Sequence, residues 1–303
     1  MTTIETTRSP LDAVEAIAPI IREYADQSER EATLARPIVE AMRDARLFQQ
    51  VAPRSLGGLE VDPLTVFKTV EALARIDGST GWCAWTNGTT GLAGQEMDDA
   101  HAEEIFADPN FIASEVLFPP GRAVAVDGGY RVSGRWPFTS GCKHATYISV
   151  LCIAFDGDTP RMTPEGPEMR SPYIPASSVT ILDTWDVSGL SGTGSHDVVI
   201  DDVFVKDGFA VPMEGGPGNR HYTGPLYRMP LLTFHAWPIA AVGLGIAQHA
   251  IDVMLDVAQT KVPAASAVTA DPKTMRDRPL FHLQLGEAVA CVRSARAWLS
   301  TRP

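Results

Sequence analysis

A chain of 303 residues, 45% hydrophobic and 20% charged, has an ordinary globular composition but is too long for one compact core, so two or three packed units are expected. The formal net charge of −12 argues against nucleic-acid binding, which needs a basic surface. Cys83, Cys142, Cys152 and Cys291 form no CxxC pair and the histidine spacing offers no zinc site, so buried cytosolic thiols and no metal are expected.

Met1 to Pro10 is polar and lacks the apolar core of a signal peptide, so a cytoplasmic protein is expected. Residues 11 to 50 read as helices, with Leu11, Val14, Ile17, Ile20 and Ile21 and then Leu34, Ile38, Met42 and Leu47 at helical spacing. The Pro53–Gly58 loop stops the second. A third helix starts at Asp62-Pro63, an N-cap followed by proline, and carries Leu64, Phe67, Val70, Leu73 and Ile76 on one face until Asp77-Gly78-Ser79 ends it. A small-residue segment, Thr80 to Leu92, holds Trp82 and Trp85, and an acidic helix runs from Met97 to Phe106. The first unit is therefore a helical domain, 1–109.

From Asn110 the helical period gives way to alternation, Gly and Pro. Expected strands are Phe111–Val116, Ala123–Val126, Tyr130–Gly134, Ala145–Ala154, Val179–Leu182 and His196–Val205. Together they predict an antiparallel β barrel or sandwich over 110–212. A glycine-rich loop, Glu214 to Asn219, leads into the last unit, 213–303, with helices over Leu231–Ala258 and Arg278–Leu299 flanking a polar loop, Lys261 to Lys273. The apolar stretch Met229–Ala250 is long enough to span a bilayer, but Pro230, His235, Pro238, Gln248 and His249 interrupt it, which favours a core helix. Two helices cannot bury both their faces alone, so this unit looks incomplete or completed by a partner subunit. The fold class is thus α+β.

Some apparent motifs have plain structural explanations. Ser195-His196-Asp197 holds the residue types of a catalytic triad, but consecutive strand residues point to opposite faces. Gly243-Leu244-Gly245 follows no strand, so close helix packing explains it better than a dinucleotide fingerprint. The informative stretch runs from Gly128 to Ala145. Gly128-Gly129 sets a hairpin, and Pro137, which lacks an N–H, should take the chain out of the ladder at Trp136-Pro137-Phe138. Two readings stay open on composition: a β-bulge with core aromatics, or a seat for a flat, partly polar ring.

A helical half, a small β domain and a second helical segment around Trp136-Pro137-Phe138-Thr139-Ser140-Gly141 together resemble the acyl-CoA dehydrogenase fold. Within it the chain looks most like the oxygenase components of two-component flavin-dependent monooxygenases, over about Val14 to Leu299. Asp77–Trp82, Pro120–Ala123, Gly134–Ala145 and Gly189–Ser195 carry the match. The resemblance implies reduced FMN, or FAD, delivered by a separate reductase and reacting with O2 to hydroxylate an aromatic or polycyclic small molecule through a C4a-hydroperoxyflavin. Thr139 and Ser140 would lie at the flavin N5 and C4 edge, where a hydroxyl can hydrogen-bond that adduct. Trp136 and Phe138 would flank the ring beside Gly141. Trp82, Asn87 and Ser114 would line the substrate pocket, with Arg228 reaching it or lying exposed. His144 is either beside the ring or structural. Arg278 would meet flavin held across a subunit boundary in a homotetramer. The family's further C-terminal helices lie beyond Pro303, so an incomplete bundle is expected.

Ser114-Glu115-Val116 stands where acyl-CoA dehydrogenases carry Thr-Glu-Pro, which argues against that activity. It nevertheless stays as an alternative, as does a non-catalytic paralogue.

Overall fold

The structure, a computed structural model, describes residues 9–106, 108–213, 221–229, 231–264 and 273–300. The Glu214–Asn219 loop and most of the Lys261–Lys273 stretch lie outside them. Helix α1 (Pro10–Glu31) starts at a capping box in which Ser9 Oγ accepts from the Asp12 N–H and Asp12 accepts from the Ser9 N–H. Helix α2 (Arg36–Asp44) follows, and α3 (Pro63–Ile76) is capped by Asp62 with Pro63 at its first turn.

The segment expected to be a stop after α3 is also a start. Asp77 accepts from the Thr80 N–H at 2.7 Å and the Thr80 hydroxyl at 2.6 Å, so it N-caps α4 (Gly78–Thr86). One aspartate both ends α3 and begins α4, which fixes the angle between them. Helix α5 (Asp99–Phe106) closes this half.

The middle of the chain forms strands β1 (Ala113–Val126), β2 (Gly129–Thr139), β3 (Tyr147–Asp156), the short β4 (Thr159–Pro160), β5 (Met162–Thr163) and β6 (Gly166–Pro167), then β7 (Met169–Pro175), β8 (Thr180–Leu182), β9 (His196–Lys206) and β10 (Ala210–Pro212). The main sheet runs β10-β7-β3-β1-β2-β9-β8, with β4 on β3. It corrects the expected all-antiparallel arrangement: β1 and β3 are parallel, from Ala113 opposite Tyr147 to Val124 opposite Phe155. The Phe111–Val116 and Ala123–Val126 segments are one strand whose register shifts between Val116 and Gly121. Strand β7 was missed because Pro172 and Pro175 interrupt its alternation, although Ser171 to Ile174 are buried.

Helix α6 (Leu231–Thr260) is a single helix with Pro238 inside, and α7 (Pro279–Ser300) packs beside it. Its Ala236–Thr260 part is long and apolar enough to cross a membrane, yet Phe234, Trp237, Ala241, Val242 and Leu244 are buried in a core shared with Phe67 and Val70 of α3. The opposite face, including Val253, Met254 and Val257, is exposed, as are Leu280, Leu283 and Trp298 of α7. Cys83, Cys142 and Cys152 are buried free thiols as expected, but Cys291 is exposed. Burial pushes the Cys142 thiol up to about 11 and Cys152 up to about 12.

The two glycines of Gly243-Leu244-Gly245 differ in what surrounds them. A Cβ on Gly245 would lie 2.5 Å from the Glu71 carbonyl oxygen and 2.6 Å from Ala74 Cβ, whereas one on Gly243 would meet nothing. Gly81 of α4 also approaches Ala74, at 2.5 Å from Cβ to Cβ. Ala74 is thus the point where α3 meets both α4 and α6. Gly245→Ala should destabilise by about 1–3 kcal/mol through overpacking. Gly243→Ala should be neutral or stabilise by up to about 1 kcal/mol from helix propensity. Thermal melts of the two variants decide it.

Candidate active site

At the end of β2 the ladder pairs Trp136 with Val198, then skips to Thr139 opposite His196. The skip is where Pro137 cannot donate, and it throws Phe138 into the left-handed region at φ 59°. That backbone costs on the order of 1 kcal/mol for a non-glycine residue. Its result is that Phe138 is turned outward, 67% exposed, with its ring edge-on to Trp185 at 6.0 Å.

Trp136 lies elsewhere than the ring-flanking place expected of it. Its indole is fully buried in the β core, with Nε1–H donating to the Leu151 carbonyl at 3.1 Å. Gly121 and Gly134 make room for it: a Cβ on Gly134 would sit 2.6 Å from the ring. Of the two readings of this stretch, the core aromatic describes Trp136 and the outward aromatic describes Phe138.

Behind Phe138 the chain is pinned at Ser140. The Ser140 carbonyl accepts the Ser114 hydroxyl from β1 at 2.7 Å and Asn87 Nδ2 from the end of α4 at 3.1 Å. Asn87 Nδ2 also donates to the Ala113 carbonyl at 3.1 Å. Gly141 turns at φ 76°, and a Cβ there would collide with Asn87 Oδ1 and lie 2.8 Å from His144 Nε2. The Ser140 hydroxyl accepts from Trp82 Nε1–H at 2.9 Å and lies 2.8 Å from Ser195 Oγ, which is 2.7 Å from Thr193 Oγ1. The structure therefore brings Trp82, Asn87, Ser114, Thr139, Ser140, Gly141 and His144 together. Asn87 and Ser114 are fully buried and clamp the backbone. Thr139 is also fully buried, its hydroxyl donating to the Trp136 carbonyl at 3.3 Å.

His144 Nε2 lies 3.2 Å from Asn87 Oδ1. That oxygen can only accept, so His144 carries its proton on Nε2 and leaves Nδ1 a bare lone pair, buried and without a partner. Burial pulls its pKa down to about 4, so the ring is neutral at pH 7. His196 is likewise structural. Its Nδ1 accepts from the Thr184 and Trp185 N–H groups and Nε2–H donates to the Ala32 carbonyl, while Asp197 pairs with Arg135, so no relay forms.

Arg228 is exposed in a 3₁₀ turn, and Arg278 lies beside α7 with Nη2 donating to the Lys273 carbonyl. Neither reaches the Ser140 cluster through any hydrogen bond or ion pair described. Ser195 and Thr193 were missed as site residues, although both precede β9, where the sequence alternates. Trp85 packs its ring edge-on to Trp82 at 4.8 Å, and its Nε1–H is buried without a partner.

Known proteins similar to this chain agree on its kind. Residues 237–302 match the family described as Acyl-CoA dehydrogenase, C-terminal domain. The chain is 32% identical to an indole-3-acetate monooxygenase of Pseudomonas putida, over 94% of its own length and 70% of the relative's. It is also 32% identical to the flavin-dependent monooxygenase oxygenase subunit HsaA of Mycobacterium tuberculosis, over 95% and 72%. Among solved structures, XiaF from a Streptomyces species in complex with FADH2 and glycerol superposes with a TM-score of 0.86 at 26% identity, over 98% of this chain and 74% of that one. The chain belongs to the oxygenase components of flavin-dependent monooxygenases, on the acyl-CoA dehydrogenase fold, and acyl-CoA dehydrogenation is not favoured.

Because the folded pKa of His144 lies near 4 and the unfolded value near 6.5, the unfolded chain takes up this proton first. Stability from this group is complete above pH 6.5 and is lost as the pH falls toward 4. Urea denaturation should show wild type losing on the order of 2 kcal/mol more than His144→Gln between pH 7 and 4. Equal losses would mean that His144 is not the neutral ring described.

Proposed function

We propose that this oxygenase binds reduced flavin, FMN or FAD, against Phe138, Thr139, Ser140 and Gly141, receives it from a separate flavin reductase, and transfers one oxygen atom from O2 to an aromatic small molecule. The observation that carries this reading is the convergence of α4, β1 and the segment before β9 on Ser140, beside an aromatic ring turned outward. The donor set fits a flat ring with a polar edge. Phe138 gives an apolar face, Gly141 a turn that lets Asn87 and His144 close in behind it, and Ser140 a hydroxyl held in one orientation.

Bound reduced flavin would supply the electrons that activate O2. The chain's own groups would orient the ring and exclude water around it. Asn87 and Ser114 would hold the Ser140 backbone from behind, and Trp136 would support the wall from the core. Trp82 and Trp85 would face the substrate; two indoles suit an aromatic ring. The aromatic class is supported by the indole-3-acetate monooxygenase relative and by a resorcinol hydroxylase oxygenase component at 32% identity. XiaF, solved with FADH2, supports keeping FAD beside FMN. The exposed apolar face of α6 and α7 supports self-association, and we expect a tetramer in the cytoplasm.

The protein, given a flavin reductase, NADH and a panel of indoles and phenols, should convert at least one to a product with one added oxygen atom taken from isotopically labelled O2. Phe138→Ala should weaken reduced-flavin binding roughly 5- to 10-fold, as expected for losing one aromatic face. Failure of wild type to bind either reduced flavin would contradict the reading.

A further inference from the structure

The hydrogen bonds around Ser140 form a chain with a forced direction. At one end Trp82 Nε1–H can only donate, and it donates to Ser140 Oγ at 2.9 Å. At the other end the Leu190 carbonyl can only accept, and it takes the Thr193 hydroxyl proton at 2.8 Å. A hydroxyl has one proton. Thr193 has given its own to Leu190, so across the 2.7 Å contact Ser195 is the donor. Ser195 has then given its proton to Thr193, so across the 2.8 Å contact Ser140 is the donor. Ser140 is left with no proton to offer and one open lone pair. Thr139 is committed in the same way, to the Trp136 carbonyl. A hydroxyl at this place can therefore meet a flavin as an acceptor.

We infer that Ser195 and Thr193 are positioning residues that fix Ser140 as a hydrogen-bond acceptor, and that this polarity makes the site prefer reduced over oxidised flavin. The inference rests on flavin lying against Ser140, as proposed above. Reduced flavin carries a proton on N5 and can donate to Ser140. Oxidised flavin presents a lone pair at N5, which would face the Ser140 lone pair. An unmatched polar contact of this kind costs enough to change affinity by about tenfold or more. Thr193 is 1% and Ser195 4% exposed, so water does not readily relieve the constraint.

The chain can be broken at two places with the same consequence. Ser195→Ala removes the acceptor for the Ser140 proton. Thr193→Val removes the acceptor for the Ser195 proton, which lets Ser195 turn and donate to Ser140. Either change frees the Ser140 proton to point at the flavin. The test is the dissociation constant for oxidised and for anaerobically reduced FMN and FAD in wild type, Ser195→Ala, Thr193→Val and Ser195→Thr. Wild type should bind the reduced form more tightly. Both chain-breaking variants should lower the ratio of oxidised to reduced Kd by about tenfold, mainly through tighter binding of the oxidised form. Ser195→Thr, which keeps a hydroxyl, should retain the wild-type ratio. In the flavin-free protein both chain-breaking variants should also move the Trp82 indole N–H resonance, which checks the chain without any flavin. An unchanged ratio in folded Ser195→Ala and Thr193→Val would overturn the inference alone. A ratio changed only in Ser195→Ala, which touches Ser140, and not in Thr193→Val, which does not, would reduce Ser195 to local packing and also overturn it. Binding of neither flavin form by wild type would overturn the functional reading beneath it.

Discussion

The site depends on how completely Ser140 is held. Its carbonyl takes two donors, one from β1 and one from the end of α4, and its hydroxyl sits in a chain that runs from α4 to the turn before β9. Three parts of the chain distant in sequence thus meet on one residue. A buried carbonyl or hydroxyl left without such partners would cost about 1–3 kcal/mol, so shifting any one of the three elements is resisted by the other two. This resistance is what allows the strained backbone at Phe138 to persist and keeps that ring outside the core.

Holding Ser140 requires the helical and β parts to stay in register, and two further contacts do so. Glu29 of α1 accepts the Ser79 hydroxyl of α4 at 2.6 Å and the N–H groups of Ser191 and Gly192 at 3.1 and 2.9 Å. His196, at the start of β9, donates to the Ala32 carbonyl just past the end of α1. The first fastens the turn that carries Thr193 and Ser195 to α1 and to α4, which holds Trp82 and ends at Asn87; the second fastens the start of β9 to the end of α1. The small residues Gly81, Ala74 and Gly245 bring α4, α3 and α6 close enough for Trp82 to reach β2. Packing between the helices therefore governs the geometry of a hydrogen bond in the β layer.

Much of this was legible in the sequence, in uneven degree. Apolar spacing at Val14, Ile17 and Ile21 and at Phe67, Val70 and Leu73 marked the helices because each has one buried stripe. Pro137 marked the break in β2, since a residue without an N–H cannot stay in a central ladder. The parallel pairing of β1 and β3 was not legible, because alternation fixes which face a side chain takes and not which neighbour a strand chooses. Nor could the fates of Trp136 and Phe138 be told apart, both being large aromatics two residues from each other. Only the positive φ of Phe138 reverses the usual alternation and sends one inward and the other outward. Ser195 and Thr193 look unremarkable in the sequence; their importance lies in the direction of hydrogen bonds between residues 55 apart in the chain.

Neutron diffraction from deuterium-exchanged crystals grown with reduced flavin tests the central claim most directly, because it locates hydroxyl deuterons. The account predicts the Ser140 deuteron on the line to Ser195 Oγ, the Ser195 deuteron on the line to Thr193, and the flavin N5 deuteron directed at Ser140 Oγ. A Ser140 deuteron pointing at the flavin, or a flavin bound away from Ser140, would contradict it.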